Sequence, residues 1–278
     1  MLKLAGTGIC AAALPGIGYG AGDLKRPGLA LQLYSVRRDC SNDFDKALDS
    51  VAKMGFEGVE FAGYYNYQGK PAELKRRLED LGLEVAGTHV RANVLSDRKA
   101  IDFHRALGCK YLIVPMDNRV KHEEKSKEFA DLLNQAAKNL KKYGMYCGYH
   151  NHAHEFSRAS EDGKTWWDLL AERTSEDVVL QMDVGWVVHA GCDPVKYLRR
   201  YPGRTRTTHF KPAVRSGDAG KTPIIGQDSV SWREVISATR KYGGTEWIIV
   251  EQEKYPEGKS PMECSELSLK GLKNIIPG

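Results

Sequence analysis

The sequence predicts an α/β fold, a single-domain (β/α)8 TIM barrel, and three observations support this prediction. From residue 28 onward, short β-branched or aromatic runs alternate with longer amphipathic segments. A glycine stands at several points where a predicted helix gives way to a strand. The chain of 278 residues also has the length of one α/β barrel.

Eight segments are predicted to be strands because they are apolar along most of their length, as parallel strands covered on both faces are. They are residues 29–35, 58–62, 84–89, 111–115, 145–150, 178–183, 205–211 and 247–251. The predicted helices alternate with them, at residues 43–54, 71–81, 97–107, 123–143, 164–173, 193–200, 231–242 and 262–274. The helix at 43–54 has the clearest start, since Asn42 or Asp43 can cap it.

The glycines favour the same architecture because the end of a helix often needs a residue with left-handed backbone. Those that follow predicted helices are Gly55, Gly82, Gly108 and Gly144. The competing architecture is an open doubly wound sheet, whose dinucleotide-binding form carries a glycine-rich turn after the first strand. This chain has Val36-Arg37-Arg38-Asp39 there. We therefore predict a closed barrel.

Composition limits the classes of partner. The formal net charge is +5, but the basic residues are spread over predicted helices that also carry acidic residues. A nucleic-acid footprint needs basic residues clustered on one surface, so we predict no nucleic-acid partner. The six cysteines show no CxxC pair and no spacing typical of metal ligands, which indicates small buried apolar residues.

The first residues read differently from the rest. Residues 1–24 contain one early lysine, then an Ala/Gly-rich apolar run, then small residues, which is typical of a signal peptide. The alternative is a disordered or helical arm. The run is too short and too rich in glycine for a stable membrane span. We predict that the barrel occupies residues 25–278, in a periplasmic or secreted protein, or a cytoplasmic one if the segment is not a signal.

Polar side chains gather at the predicted carboxyl ends of the strands, where barrel enzymes place their functional residues. Four strands in succession, the fifth to the eighth, finish with His or Glu, then Asp, His and Glu. Such carboxylates would repel one another in a shared mouth of low dielectric constant. A divalent cation would neutralise them, and this donor set suits one Mn, Zn, Co or Mg ion.

Specific motifs identify a resemblance. They are Tyr149-His150-Asn151-His152 with Glu155-Phe156, Asp183-Val184-Gly185-Trp186, His209-Phe210-Lys211, Val250-Glu251-Gln252 and the opening Gln32-Leu33-Tyr34-Ser35-Val36. With these motifs, residues 28–275 resemble the xylose isomerase-like superfamily of sugar phosphate isomerases/epimerases. The resemblance implies a barrel with one divalent metal held by side chains from strands five to eight.

The implied metal ligands are Glu155, Asp183, His209 and Glu251. The motif does not settle whether Glu155 is a ligand. In family members with Glu at the end of strand five, that Glu would align with His150 of this chain. Either Glu155 folds back to the metal, or His150 is itself the ligand. We favour Glu155, with His150 close behind the metal or in contact with substrate.

The chemistry implied is that of a metal-dependent sugar isomerase or epimerase. It abstracts a proton next to a carbonyl and passes through a metal-stabilised enediolate. The base is predicted to be His152 or Glu251, and Lys211 would stabilise the developing oxyanion, unless it merely faces solvent. The residues predicted to bind the small-molecule carbohydrate are His150, Trp186, His89, Tyr34 and Glu60, although Glu60 could instead pair with Arg91. Barrels of this family commonly pair through surface helices, so a homo-oligomer is also expected.

Trp186 supports an alternative activity. Sugar epimerases of the superfamily often place a histidine three residues after the Asp of strand six, where this chain has Trp186. An aromatic wall suits a pyranose ring or a glycoside, unless the indole only packs the top of the barrel. The alternative is therefore a secreted 3-keto-glycoside lyase or hydrolase that uses the same metal site. An endonuclease-like phosphodiesterase would need more metal ligands and a basic face for DNA.

Overall fold

Eight parallel strands close into one barrel, in sequence order, in the computed structural model of the chain, which describes residues 26–276. The strands are β1 (Gly28–Gln32), β2 (Gly58–Phe61), β3 (Glu84–His89), β4 (Tyr111–Val114), β5 (Tyr146–His150), β6 (Val179–Asp183), β7 (Thr207–Phe210) and β8 (Trp247–Val250). The barrel closes where Gly28 pairs with Trp247 and Leu31 pairs with Val250. This confirms the predicted (β/α)8 TIM barrel in a single domain.

Helices connect the strands and cover the outside of the barrel. Within residues 26–276 they are α1 (Arg37–Asn42), α2 (Phe44–Met54), α3 (Pro71–Leu81), α4 (Arg98–Leu107), α5 (Glu123–Lys141), α6 (Trp166–Arg173), α7 (Val184–His189), α8 (Pro194–Arg200), α9 (Trp232–Ala238) and α10 (Pro261–Ile275). Asp43 caps α2 by accepting a hydrogen bond from Lys46 N, as predicted. Gly55 ends the same helix with φ of 85°, in the left-handed region.

One local prediction was wrong, and two short helices were missed. The first strand ends at Gln32 because the Gln32 side chain accepts a hydrogen bond from Tyr34 N and turns the chain into a 3-10 helix, Leu33–Val36. The short helices α1 and α7 were not predicted. Each is six residues long, which is too short for an amphipathic pattern to show, and α7 depends on Asp183 as its cap.

The inside of the barrel changes from apolar to polar along the strands. Ala30, Ala86 and Ile249 pack together with Trp247 at the lower end. Because alternate residues of a strand share a face, Glu251 follows Ile249 on the inward face, and Gln181 and Asp183 follow Val179. The carboxyl end of the barrel is therefore lined with polar side chains, and an apolar layer, which we call the plug, lies below them.

The amino-terminal prediction lies outside the described residues. Residues 1–24, interpreted as a signal peptide or an arm, precede the first described residue, Arg26. Between residues 26 and 276, none of the helices combines the length and the apolar character needed to cross a membrane.

Gly148 in β5 offers a test of the packing between strands. A Cβ at this position would lie 2.3 Å from the Val179 carbonyl oxygen and 2.7 Å from Val179 Cβ. We expect Gly148→Ala to lower the free energy of unfolding by about 3 kcal/mol, because the two strands must separate to admit the methyl group. Gly63→Ala is the matched control, since its nearest neighbour would be 3.9 Å away. Equal denaturant midpoints for the two variants would contradict this account.

Candidate metal centre and active site

Four buried side chains converge at the carboxyl end of the barrel. His150 ends β5, Asp183 ends β6, His209 lies in β7 and Glu251 directly follows β8. Each offers one ligand atom, and these atoms all lie within 4.8 Å of one another. The structure thus brings together Asp183, His209 and Glu251 of the predicted ligands, with His150 as the fourth member. We call this group the four-residue cluster.

His209 lies between two carboxylates. Its Nδ1 is 3.0 Å from Glu251 Oε2, and its Nε2 is 2.5 Å from Glu60 Oε2. Burial lowers the pKa of His209, but the Glu60 and Glu251 charges outweigh burial and raise it to about 10. The imidazole is therefore cationic at neutral pH in the metal-free cluster.

Lys211 supplies a second positive charge. Its ammonium lies 3.0 Å from Glu251 Oε2 and 3.3 Å from Asp183 Oδ2, and it also pairs with Glu253. Burial lowers the pKa of Lys211, but these three carboxylates outweigh it and raise the pKa above its ordinary value. Lys211 is buried, at 9% exposure, so the interpretation of it as a solvent-facing residue is wrong.

Asp183 has one satisfied and one unsatisfied oxygen. Its Oδ1 accepts a hydrogen bond from Trp186 N at 2.9 Å and so caps α7. Its Oδ2 is buried and forms no hydrogen bond, with the Lys211 ammonium 3.3 Å away and His150 Nε2 3.8 Å away. Burial raises the pKa of Asp183 to about 6; the Lys211 charge opposes this shift, and the Glu251 charge adds to it.

The donor set fits a divalent cation. Among residues 26–276, the cationic side chains that pair with the buried Glu60, Asp183 and Glu251 and the partly exposed Glu253 are His209 and Lys211, which leaves a surplus of negative charge. Asp183 Oδ2 forms no hydrogen bond, although the Lys211 ammonium lies 3.3 Å away, and a bound cation would satisfy such an atom. Two imidazoles and two carboxylates are ordinary ligands for Zn, Mn or Co.

Glu155 does not join the cluster, contrary to the favoured prediction. It is fully buried, and its carboxylate accepts hydrogen bonds from Tyr149 Oη at 2.6 Å and from His152 N at 2.8 Å. His154 Nε2 lies 2.8 Å from the same carboxylate. Burial raises the pKa of Glu155, but the contacts with His154 and Tyr149 outweigh it and lower the pKa. Because both carboxylate oxygens of Glu155 are bound by Tyr149, His154 and His152 N, Glu155 holds the backbone of His152 in place.

Glu60 is also placed differently from its prediction as a substrate-binding residue. Its side chain is fully buried beneath His209 and bonded to Gln32 Nε2 at 2.6 Å and Gln181 Nε2 at 2.8 Å. Burial raises the pKa of Glu60, but His89 and His209 outweigh it and lower the pKa. Glu60 is not among the residues that line the cleft, and within the described residues it forms no ion pair with Arg91.

A cleft of about 390 Å³ opens onto the cluster. Its walls are Tyr34, Ala62, His89, Val90, Arg91, Pro115, Met116, His150, His152, Lys211, Glu251 and Glu253. Tyr34 and Met116 are exposed at its mouth, at 42% and 59%. Trp186 stands behind this wall, with its ring centroid 5.5 Å from that of His152 and 4.8 Å from Lys211 Nζ. The indole therefore backs the site through His152 and Lys211.

The His152 ring lines the cleft, and one of its nitrogens is buried without a partner. Its Nδ1 is buried and has no hydrogen-bond partner, and its ring lies 5.2 Å from the His150 ring. Burial is the largest cause that lowers the pKa of His152, and the Lys211 charge adds to it, against Glu155. The ring is therefore neutral near pH 7 and able to accept a proton.

Two residues in the site had no role in the sequence analysis. Asn151 holds the backbone of Asp183, accepting from its N at 2.9 Å and donating to its O at 3.3 Å. Gln181 lies under the cluster and contacts both His89 and His150. The available signal for Gln181 was its polarity inside an apolar strand, two residues before Asp183 and thus on the same face.

The chain is similar to known proteins in both sequence and structure. The family model for the xylose isomerase-like TIM barrel matches residues 48–274. An inosose dehydratase of Clostridium botulinum is 25% identical over 84% of this chain and 89% of its own length. Two solved structures of sugar phosphate isomerase/epimerases from Parabacteroides distasonis are also similar. One has a TM-score of 0.75 and 24% identity over 90% of this chain and 95% of its own, and the other 0.69 and 27% over 87% and 97%.

The two candidates for the fourth ligand can be separated by metal titration of the purified metal-free protein. We expect His150→Ala to weaken Mn²⁺ binding by roughly 100-fold or more, because it removes one ligand of the metal. Loss of a metal ligand weakens binding more than loss of a residue that only supports a ligand. Glu155→Gln should keep the wild-type affinity within about threefold, because its carboxylate does not reach the cluster. Isothermal titration calorimetry provides the measurement, and the opposite ranking would restore Glu155 as the ligand.

Proposed function

The chain belongs to the xylose isomerase-like TIM-barrel family, and from this premise we propose that it is a metal-dependent enzyme acting on a sugar or cyclic polyol. In the proposed reaction a proton is removed from the carbon next to a carbonyl and returned elsewhere on the substrate, as in an isomerase or epimerase. The observation that supports this best is the pairing of the four-residue cluster with a neutral, unpartnered His152 at the same cleft.

The proposed metal would be held by His150, Asp183, His209 and Glu251. Such an ion, when bound, polarises the substrate carbonyl and stabilises the negative charge that proton removal leaves on its oxygen. The two imidazoles favour Zn, Mn or Co over Mg, which prefers oxygen ligands.

His152 is the proposed base. Its ring lines the cleft beside His150, its Nδ1 has no hydrogen-bond partner, and burial lowers its pKa and keeps the imidazole unprotonated. Glu155 supports this role because its carboxylate binds the backbone N of His152 at 2.8 Å and so fixes the loop. Glu251 is the other predicted base. Burial raises its pKa, but the contacts with Lys211 and His209 outweigh burial, lower the pKa and make Glu251 a weak proton acceptor.

Lys211 is proposed to stabilise the negative charge that develops on the substrate oxygen. Its position is fixed on one side by Glu251 and Glu253 and on the other by the face of Trp186. A fixed ammonium beside the place where charge develops stabilises an oxyanion without reorganisation. Tyr34 and His89, which line the same cleft, would contact the sugar.

Replacement of His152 tests the base. We expect His152→Gln to slow proton exchange at the substrate carbon by ~10²–10⁴-fold, the usual contribution of a positioned base. The measurement is incorporation of solvent deuterium into a panel of keto-sugars and cyclic keto-polyols, followed by NMR. His122→Gln is the control, because His122 is an exposed histidine at the start of α5. Unchanged exchange in His152→Gln, with metal still bound, would remove His152 from this role.

Elimination is a second candidate, favoured by Trp186 and by the relative named a dehydratase. The aromatic ring stands beside the base, where the epimerases of the resemblance often carry a hydroxyl-binding histidine. In an elimination, His152 would take the C–H proton and the departing oxygen would receive it, leaving as water or as the alcohol of a glycoside. Lys211 would neutralise the oxygen as its bond to carbon breaks.

Product analysis separates the two candidates. An isomerase or epimerase gives a stereoisomer or positional isomer labelled with deuterium, whereas a lyase releases water or an aglycone and forms an unsaturated ketone. We expect either reaction to stop when the metal is removed by a chelator and to return when Mn²⁺ or Zn²⁺ is restored. Full activity after chelation, with metal loss verified by elemental analysis, would refute the metal-dependent proposal.

A further inference from the structure

A layer of buried polar side chains lies directly beneath the four-residue cluster. Glu60 Oε1 accepts from Gln181 Nε2 at 2.8 Å, while Glu60 Oε2 accepts from Gln32 Nε2 at 2.6 Å and contacts His209 Nε2 at 2.5 Å. Gln181 Nε2 also donates to Thr207 Oγ1 at 2.9 Å. These side chains are fully buried, so water cannot replace a wrongly directed hydrogen bond.

The direction of each hydrogen bond follows from Glu60. A carboxylate only accepts, so the group of Gln181 that faces Glu60 must be its NH₂. The amide oxygen of Gln181 must then face the other way, where His150 Nδ1 lies at 3.1 Å and His89 Nε2 at 2.9 Å. Because an amide oxygen only accepts, both of these ring nitrogens must carry hydrogen.

We propose that Glu60, acting through Gln181, fixes His150 in the Nδ1–H tautomer and so presents an unprotonated Nε2 to the metal. His150 Nε2 is the nitrogen on the side of the unpartnered Asp183 Oδ2, 3.8 Å away. Glu60 also binds Nε2 of His209 directly, which leaves Nδ1 of that ring beside Glu251. One carboxylate thus selects the ligand nitrogen of two histidines, and Glu60 and Gln181 are positioning residues.

The inference rests on the proposed metal site and makes a specific prediction for Glu60→Gln, which changes the shape of the side chain very little. The two donors at Oε2, from Gln32 and His209, require the new amide oxygen at that place. The new NH₂ then faces Gln181 and forces the Gln181 amide to turn over. His150 Nδ1 now meets an NH₂ donor, so the proton moves to Nε2, the nitrogen that would bind the metal.

The first experiment reads the tautomer in the metal-free protein. Long-range ¹H–¹⁵N correlation spectra of the histidine rings, with His150→Gln used to assign the signals, distinguish the protonated from the unprotonated nitrogen. We expect the Nδ1–H form of His150 in the wild type and the Nε2–H form in Glu60→Gln. An Nε2–H form in the wild type, or the same tautomer in both proteins, would overturn the inference.

The second experiment measures Mn²⁺ affinity by calorimetry. We expect Glu60→Gln and Gln181→Met each to weaken binding ~10–100-fold, the usual effect of losing a partner that orients a metal ligand. Thr207→Val is the control, because it removes a contact of Gln181 without changing the direction of the amide, and it should bind within about threefold of wild type. Wild-type affinity in folded Glu60→Gln and Gln181→Met, with folding checked by circular dichroism, would contradict the inference.

Two different results separate the loss of the metal site from the loss of the positioning role of Glu60. If the wild type binds no divalent metal, the proposed function loses its metal, and the spectra of the metal-free protein still test the tautomer. If the wild type binds metal and Glu60→Gln binds it equally well, the metal site remains and the positioning role of Glu60 is lost.

Discussion

The structure of the site depends on the concentration of negative charge in a buried place. Glu60, Asp183 and Glu251 are buried at the carboxyl end of the barrel, next to the partly exposed Glu253, and burial makes an uncompensated charge costly. Within the described residues, His209 and Lys211 are the cations that touch them directly, and each contacts at least two of them. The carboxylates thus set the positions of His209 and Lys211. The negative charge that these two cations leave uncompensated is the reason why a divalent cation fits the four-residue cluster.

The barrel supports this charge by its layered interior. The lower layers are apolar, with Trp247, Ile249 and Ala30 filling the space between the strands. The next layer, which contains Gln181 and Glu60, is polar and fully hydrogen-bonded, and the cluster lies above it. Because alternate residues of each strand point inward, the same strands that form the plug also deliver the ligands, and a small shift of one strand would move both.

The site also explains how one fold serves related reactions. Removal of a proton next to a carbonyl requires only a base, a centre of positive charge and a fixed substrate, and in the proposed function His152, Lys211 and the cleft would supply them. Isomerisation and elimination differ afterwards, in where the proton goes. That step depends on the side chains around the departing or receiving atom, which here include Trp186 behind His152 and Lys211.

The sequence by itself determined the barrel, most element boundaries to within a few residues, and the meeting of Asp183, His209 and Glu251. These follow from periodic apolar patterns and from the rule that strand ends share one face of a barrel. Only the tertiary structure placed His150, and not Glu155, beside Asp183, His209 and Glu251, and it placed Glu60 in the layer below the cleft. The physical reason is that a side chain takes the hydrogen-bond partners within its reach: Glu155 meets Tyr149 and His152 N in its own loop, and Glu60 meets Gln181 from a strand 121 positions along the chain.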